Sequence, residues 1–291
     1  MMRAAQKRGH AVWVCEQQSL HWHEGRVAAA AMRISLADND EDWYRPHETA
    51  VRPLAGFSAV LMRKDPPFDL EYVTSTWLLS AAAREGARVF NAPDAIRDHN
   101  EKLAIAEFAR FAPPTLVSRE PERIQAFIDA QRDVVVKRLD VMGGEHVFRV
   151  RPDDPNRNVI VETISQRGAR SVMAQRYIPE ISQGDKRVIL IDGLVVPHCL
   201  ARIPKAGDPR GNLAQGARGV AQPLTRRHQE IAQALGPLLA KRGLLLVGLD
   251  VIGEHLTEVN VTSPTGFREI QDQTGFDVSG MFLDALEKRV A

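Results

Sequence analysis

The stretch 244–265, LLLVGLDVIGEHLTEVNVTSPT, constrains this chain more than any other. Two apolar runs flank a short turn at Gly253, Glu254 and His255, a pattern that predicts a β-hairpin. The first run carries one acid, Asp250, and the second carries Glu258 and Asn260. Side chains alternate faces along a strand, so Glu258 and Asn260 share a face, and pairing of the runs brings Asp250 to it. Two carboxylates and an amide oxygen, with nothing soft nearby, suit a hard cation such as Mg²⁺. An ion held by so few protein oxygens takes its remaining ligands from water and nucleotide phosphate. A hairpin whose polar face simply meets water has the same pattern, so the rest of the chain must discriminate.

A length of 291 residues suffices for a sizeable core and two or three subdomains. The net charge of +1 provides no broad field to recruit nucleic acid or an acidic membrane. Two cysteines, Cys15 and Cys199, exclude a disulfide framework and suit a reducing cytosol, so a cytoplasmic location is expected. No apolar run approaches the length of a membrane span, and MMRAAQKRGH lacks the apolar core of a signal peptide.

Along the chain, MMRAAQKRG reads as a helix closed by Gly9, and AVWVCE (11–16) reads as a strand. Together they are half of a βαβ unit, so a first strand is expected to be absent. Residues 17–56 are polar and give weak signals; the His21, Trp22, His23 cluster reads as a solvated loop. In FSAVLMRKDPPFD (57–69) an apolar strand ends in Arg63, Lys64 and Asp65 and breaks at two prolines. Ligands bind beyond the carboxyl ends of strands in open α/β sheets, which places Arg63 and Lys64 where an anion can be met, though a solvated basic strand end reads the same way. A helix (70–86) and a strand (87–93) follow, making the first hundred residues an α/β layer domain.

DAIRDHNEKLAIAEF (94–108) reads as a helix carrying Lys102. In DVVVKRLDVMGGEHVFRV (133–150), Lys137 closes an apolar strand, where a long cation is costly unless it meets an anion or reaches solvent. The Gly143-Gly144 loop beyond it can turn backbone N–H groups toward phosphate, although most such pairs are only turns. Neither a GxxxxGK[ST] nor a GxGxxG motif occurs. MAQRYIPEI (173–181) is a strand broken by Pro179, and its free backbone groups suit either an adenine edge or a plain connector. GDKRVILIDG (184–193) and LVVPHCLARIP (194–204) read as an antiparallel pair with Arg187 and Arg202 near their ends. The Gly- and Pro-rich stretch 204–219 is expected to be a mobile lid. Helices are expected over 225–243 and 279–291.

LMRKDPPFD (61–69), NEKL (100–103), MGGEHVFRV (142–150), GDKRVILIDG, CLARIP (199–204), RGNLAQGARG (210–219) and VGLDVIGEHLTEVNVTSPT (247–265) together resemble the bacterial glutathione synthetases of the ATP-grasp superfamily over nearly the whole chain. The resemblance implies an α/β (α+β) ATP-grasp fold with an N-terminal doubly wound α/β domain lacking its first strand. It divides the chain into a substrate domain (1–100), a central lid subdomain (101–180) and a C-terminal subdomain (181–291) with the metal site and mobile loop. It implies Asp250, Glu258 and Asn260 as ligands of two Mg²⁺ ions, with Mn²⁺ as a substitute and Glu258 as the bridge. Lys102 and Lys137 resemble the pair that grips ATP phosphates, with Met142, Gly143 and Gly144 over them. Gln175, Arg176, Tyr177 and Ile178 resemble the adenine-binding linker, and Asp185 a residue near the ribose. Arg187, Arg202 and Arg210 resemble groups that stabilise the transferred phosphoryl and the acyl phosphate. Arg63 and the turn Ser263, Pro264, Thr265, Gly266 resemble substrate contacts.

The implied reaction joins γ-glutamylcysteine to glycine through an acyl phosphate, releasing ADP and phosphate, in a homotetramer. It needs no side-chain nucleophile, since positioning and charge neutralisation suffice. The absent first strand leads to an expectation that nucleotide binding survives better than ligase activity. Two alternatives stand beside this reading: another ATP-grasp ligase joining a different carboxylate and amine, or a catalytically silent nucleotide-binding protein.

Overall fold

The structure, a computed structural model, describes residues 1–205, 211, 213 and 216–291. Helix α1 (Met2–Lys7) leads into strands β1 (Val12–Val14), β2 (His21–His23), β3 (Arg26–Leu36) and β4 (Tyr44–Pro53). All are antiparallel: β1 and β2 pair with opposite ends of β3, and β4 runs along it. β1 thus joins an antiparallel sheet rather than a parallel one. The weak region 17–56, including the His21–His23 cluster, is mostly sheet. Alanines dominate β3, RVAAAAMRISL, and are poor strand formers; burial of Val27, Ala29 and Ala31 decides its conformation. β4 is a mostly exposed, polar edge with Pro46 and Pro53, so it carries almost no apolar alternation.

β5 (Val60–Leu61), α2 (Leu70–Arg84) and β6 (Val89–Phe90) form a βαβ unit whose strands pair in parallel. Asp69 caps α2, its side chain accepting from the Tyr72 N–H at 2.9 Å. Arg63, Lys64 and Asp65 leave the end of β5 as expected. The buried Asn91, just after β6, donates to the Leu246 and Val261 carbonyls at 2.8 and 2.7 Å and accepts from the Leu246 N–H at 2.8 Å. It fastens the parallel pair to both strands of the 244–265 hairpin.

The expected helix 94–108 is two pieces, α3 (Pro93–Asp98) and a 3-10 segment, Leu103–Phe108. Between them the Asn100 side chain accepts from the Lys102 and Leu103 N–H groups at 3.2 and 2.9 Å, in place of helical carbonyls. Next come β7 (Thr115–Ser118), α4 (Pro121–Gln131), β8 (Val134–Arg138), β9 (Val147–Val150), α5 (Arg157–Ile164) and β10 (Val172–Arg176). Their antiparallel sheet, in the order β7-β10-β8-β9, packs on Ile124, Ile128, Val161 and Ile164 of the two helices.

The last third holds β11 (Asp185–Ile191), β12 (Leu194–Ile203), β13 (Arg218–Pro223), α6 (Arg226–Lys241), β14 (Leu246–Ile252), β15 (His255–Asn260), α7 (Phe267–Thr274) and α8 (Val278–Val290). Its sheet runs β13-β12-β11-β14-β15, with α6 against one face. Of the expected lid, residues 206–210, 212, 214 and 215, and with them Arg210, lie outside the described residues. Among the described residues no helix is long and apolar enough to cross a membrane.

Candidate active site

The C-terminal sheet has one apolar face and one charged face. Val188, Leu190, Val247, Leu249, Val251, Leu256 and Val259 share a core with Ile231 and Leu235 of α6. Alternation turns Asp185, Arg187, Arg202, Gly248, Asp250, Glu258 and Asn260 the other way. Their registers place Asp185 opposite Arg202, Arg187 opposite Asp250, Asp250 opposite Glu258 and Gly248 opposite Asn260.

A bulge makes this possible. Past Asp250 the β14–β15 ladder shifts, so that Val251 pairs with Leu256 and Thr257 is the extra residue. The Thr257 hydroxyl donates to the Asp250 carbonyl at 3.1 Å. Strict alternation would set Leu256 on the same side as Glu258. The inserted residue reverses the parity, so Leu256 and Val259 both enter the core while Glu258 remains on the charged face.

Arg187 grips Asp250 with two parallel bonds, Nε to Oδ1 at 2.6 Å and Nη2 to Oδ2 at 3.1 Å. Arg202 Nη2 lies 2.9 Å from Asp250 Oδ2 and 2.6 Å from Asp185 Oδ2. Glu258 Oε1 accepts from Lys137 Nζ at 3.3 Å and lies 3.8 Å from Lys102 Nζ. Lys102 Nζ also donates to the Val141 carbonyl at 2.6 Å. All four cations are buried, so Lys102 is not the solvated helix residue that its neighbours in sequence suggest.

Burial alone would raise the Asp250 and Glu258 carboxyls, yet both stay below the ordinary range. Arg187 and Arg202 hold Asp250 ionised, and Lys102 and Lys137 do the same for Glu258. Asp185 differs: burial, aided by Asp250 and Glu258, pushes it up to about 6 against the pull of Arg202. With Asp185 ionised, the four cations face three carboxylates, an excess that invites an anion into the cluster.

Linkage gives a prediction for Asp185. Its folded pKa exceeds the unfolded value, so the folded protein takes up a proton between roughly pH 6 and 4 that the unfolded chain does not. Stability in this term therefore rises as pH falls through that window. The melting temperature of the wild type relative to Asp185→Asn should climb between pH 7 and pH 5. A pH-independent difference in paired calorimetric melts would refute it.

The predicted metal set fits on chemistry. Asp250 and Glu258 are ionised oxygen donors on directly opposed residues, and Asn260 follows on the same face, its amide nitrogen turned to the Gly248 carbonyl at 3.2 Å. No group of three or more His, Cys, Asp or Glu side chains of metal-binding arrangement occurs among the described residues. Any ion here therefore needs the Asn260 oxygen and ligands from outside the protein. Asp185 Oδ1 and Arg202 Nε are buried without a hydrogen-bond partner among the described residues, one acceptor and one donor open to a polar ligand.

Other expected residues surround this face. Gly143 and Gly144 take φ of +69° and +81° in the loop after β8, as side-chain-free residues readily do. Gln175 is buried, donating to Thr115 Oγ1 at 3.0 Å. The Arg176 and Tyr177 N–H groups are not free but donate to the Pro114 and Asp133 carbonyls, because the segment remains clamped between strands. The Arg149 guanidinium stacks 3.6 Å over the Tyr177 ring. Ile178 is buried at the entry to a 3-10 turn, Pro179–Gln183, that leads to Asp185. Arg63, whose pKa burial lowers to about 10, donates to the Pro264 carbonyl at 2.8 Å. The Ser263 hydroxyl donates to Asp65, Thr265 is exposed, and Gly266 starts α7 at φ +112°. Arg63 and the 263–266 turn are thus brought together, beside Arg187. An added Cβ on Gly248 would stand 2.8 Å from both Arg187 Cδ and Pro264 Cβ, so this close approach needs glycine.

Sequence reading passes over Asn91, Asn100, Glu101 and the Thr257 bulge. Only the Asn100 turn leaves a local trace, an asparagine able to cap its own chain. A cavity of about 530 Å³ is lined by Asp94, His99, Glu107 and Arg242 among others, and none of the expected site residues lines it.

Residues 1–97 match the N-terminal domain of prokaryotic glutathione synthetase, and residues 101–275 match its ATP-grasp domain. The chain is 58% identical to the glutathione synthetase of Ralstonia nicotianae over 288 residues, covering 99% of this chain and 89% of the relative. It is 53% identical to the glutathione synthetase of Nitrosomonas europaea over 294 residues, covering 100% and 92%. Among solved structures, the ATP-grasp ligase PsnB complexed with minimal precursor superposes with a TM-score of 0.63 at 21% identity, over 99% of this chain and 93% of that one. D-cycloserine synthetase DcsG gives 0.64 at 18% identity, over 82% and 86%. At these identities the superpositions establish the ATP-grasp fold.

Proposed function

The chain belongs to the prokaryotic glutathione synthetase family and catalyses ATP-dependent glutathione synthesis, and we infer that it does so through an acyl phosphate formed on the charged face of the C-terminal sheet. The observation that carries this reading is the convergence of Lys102, Lys137, Arg187 and Arg202 on Asp250 and Glu258.

In this reading the carboxylate at the cysteinyl end of γ-glutamylcysteine attacks the γ-phosphorus of ATP, and ADP leaves. The glycine amine then attacks the acyl carbon, inorganic phosphate departs with the C–O bonding pair, and the amine proton passes to solvent. Lys102 and Lys137 hold the phosphates under the Met142–Gly144 loop, while Arg187 and Arg202, together with Arg210, neutralise charge that develops on the phosphoryl and acyl oxygens. Gln175 to Ile178 and Asp185 take the nucleoside. Arg63 and the Ser263–Gly266 turn take the peptide. Asp250, Glu258 and Asn260 would hold Mg²⁺, or Mn²⁺ in its place, which when bound supplies Lewis-acid neutralisation of the phosphates. The reading includes the three-part division at residues 100 and 180, a homotetramer, and a cytoplasmic location, which the two unpaired cysteines suit.

The test is ADP release with γ-glutamylcysteine and glycine, repeated with hydroxylamine in place of glycine. Turnover with the natural pair and a trapped hydroxamate of the peptide are expected. Turnover without any hydroxamate, or activity confined to a different acid and amine, would overturn the proposal.

A further inference from the structure

The position of Lys102 is set by the two residues that precede it. Asn100 faces the glycine loop, its side-chain amide donating to the Leu139 carbonyl at 2.9 Å while its oxygen closes the turn on the Lys102 and Leu103 N–H groups. Glu101 faces the opposite way. Its Oε1 accepts from the Val261 N–H at 2.9 Å, the Thr262 N–H at 3.0 Å and the Thr262 hydroxyl at 2.8 Å. Its backbone carbonyl accepts from the Val259 N–H at 2.8 Å. Successive residues thus grip the loop after β8 and the end of β15, and Lys102 projects between them onto Val141 and Glu258.

We infer that Glu101 is a positioning residue for Lys102: its carboxylate fixes the 100–103 turn against the end of β15, so that the lysine ammonium is held between the glycine loop and Glu258. The same oxygen binds Thr262, directly before the Ser263–Gly266 turn, so one side chain aligns the phosphate grip with the peptide site. The inference rests on the phosphate-gripping role of Lys102 stated above. What the carboxylate supplies is a three-fold acceptor, not a charge for the reaction. An amide oxygen of the same reach serves in part, and a shortened or absent side chain does not.

The experiment uses the full chain and a non-hydrolysable ATP analogue, whose binding is independent of which acid and amine are joined. Failure of the substrate reading therefore leaves this test intact. Glu101→Ala is expected to weaken the analogue about 30-fold and to lower kcat/KM for ATP about 100-fold, the scale of a lysine displaced by roughly 1 Å, with KM for glycine unchanged. Glu101→Gln should recover most of that loss, and Glu101→Asp little of it. Thr262→Val, which keeps shape and removes one donor, should weaken the analogue several-fold alone and add nothing in the Glu101→Ala background. A folded Glu101→Ala enzyme that binds the analogue as tightly as the wild type, or additive effects in the double variant, would overturn the inference. Should Glu101→Ala show no cooperative melt, Thr262→Val decides: wild-type affinity in that variant refutes the role.

Discussion

Glu258→Gln is expected to leave a folded protein whose kcat for glutathione formation has fallen by roughly 10³-fold, the scale seen when one preorganised electrostatic group is lost. The residue has the most connected position on the charged face. It stands directly across from Asp250, takes Lys137 at 3.3 Å and has Lys102 at 3.8 Å. Glutamine keeps the volume and one accepting oxygen, so the strand register and the β15 bulge should persist. It removes the negative charge that faces both lysines and that would hold a divalent ion. The two ammonium groups then repel each other over a neutral amide, and one of the two carboxylates that would hold the metal is lost. Titration with Mn²⁺, followed by its paramagnetic signal, should give wild-type protein a saturable site and the variant a much weaker one. Retention of both turnover and the Mn²⁺ site would remove Glu258 from the centre of the mechanism.

Arg187→Met should fail differently, through stability as well as rate. Breaking a buried ion pair by removing one partner costs about 3–5 kcal/mol, because the other charge is left uncompensated. Here Asp250 retains Arg202 at 2.9 Å, so the lower end of that range is expected. Methionine fills much of the volume between Gly248 and Pro264, which limits any additional cavity cost. The denaturant midpoint should fall with little change in its slope, and catalysis should be lost even where the variant is fully folded. An unchanged midpoint would mean that the bidentate grip on Asp250 is not what holds these strands in place. Lysine at this position should rescue little, since a point charge cannot reproduce two parallel N–H bonds to one carboxylate.

The two substitutions probe different links. Glu258 keeps 22% of its side chain accessible while it contacts both lysines, so its loss is felt first by the ligand. Arg187 and Asp250 are shut between strands, so their separation is felt first by the fold.

Much of this arrangement is legible locally. A strand has a period of two, so Glu258 and Asn260 share a face whatever surrounds them, and a turn at Gly253 brings Asp250 opposite. Lys137 at the end of an apolar strand announces a cation that needs a partner. Motifs such as NEKL and LMRKDPPFD carry the family identity, and family identity carries the reaction.

Tertiary structure decided the rest, because it depends on groups far apart in sequence. The strands β3 and β4 exist because alanines are buried against a neighbouring layer and a polar edge finds a pairing partner; neither fact is present in the local pattern. The helix expected over 94–108 breaks at Asn100, where the Asn100 side chain takes two backbone donors in place of helical carbonyls. Lys102 is buried on a turn that Glu101 ties to Thr262, 161 residues away. Whether Leu256 or Glu258 faces the core turns on a single inserted residue that alternation cannot foresee. Short-range periodicity establishes which side chains can meet; long-range hydrogen bonds and ion pairs choose the ones that do.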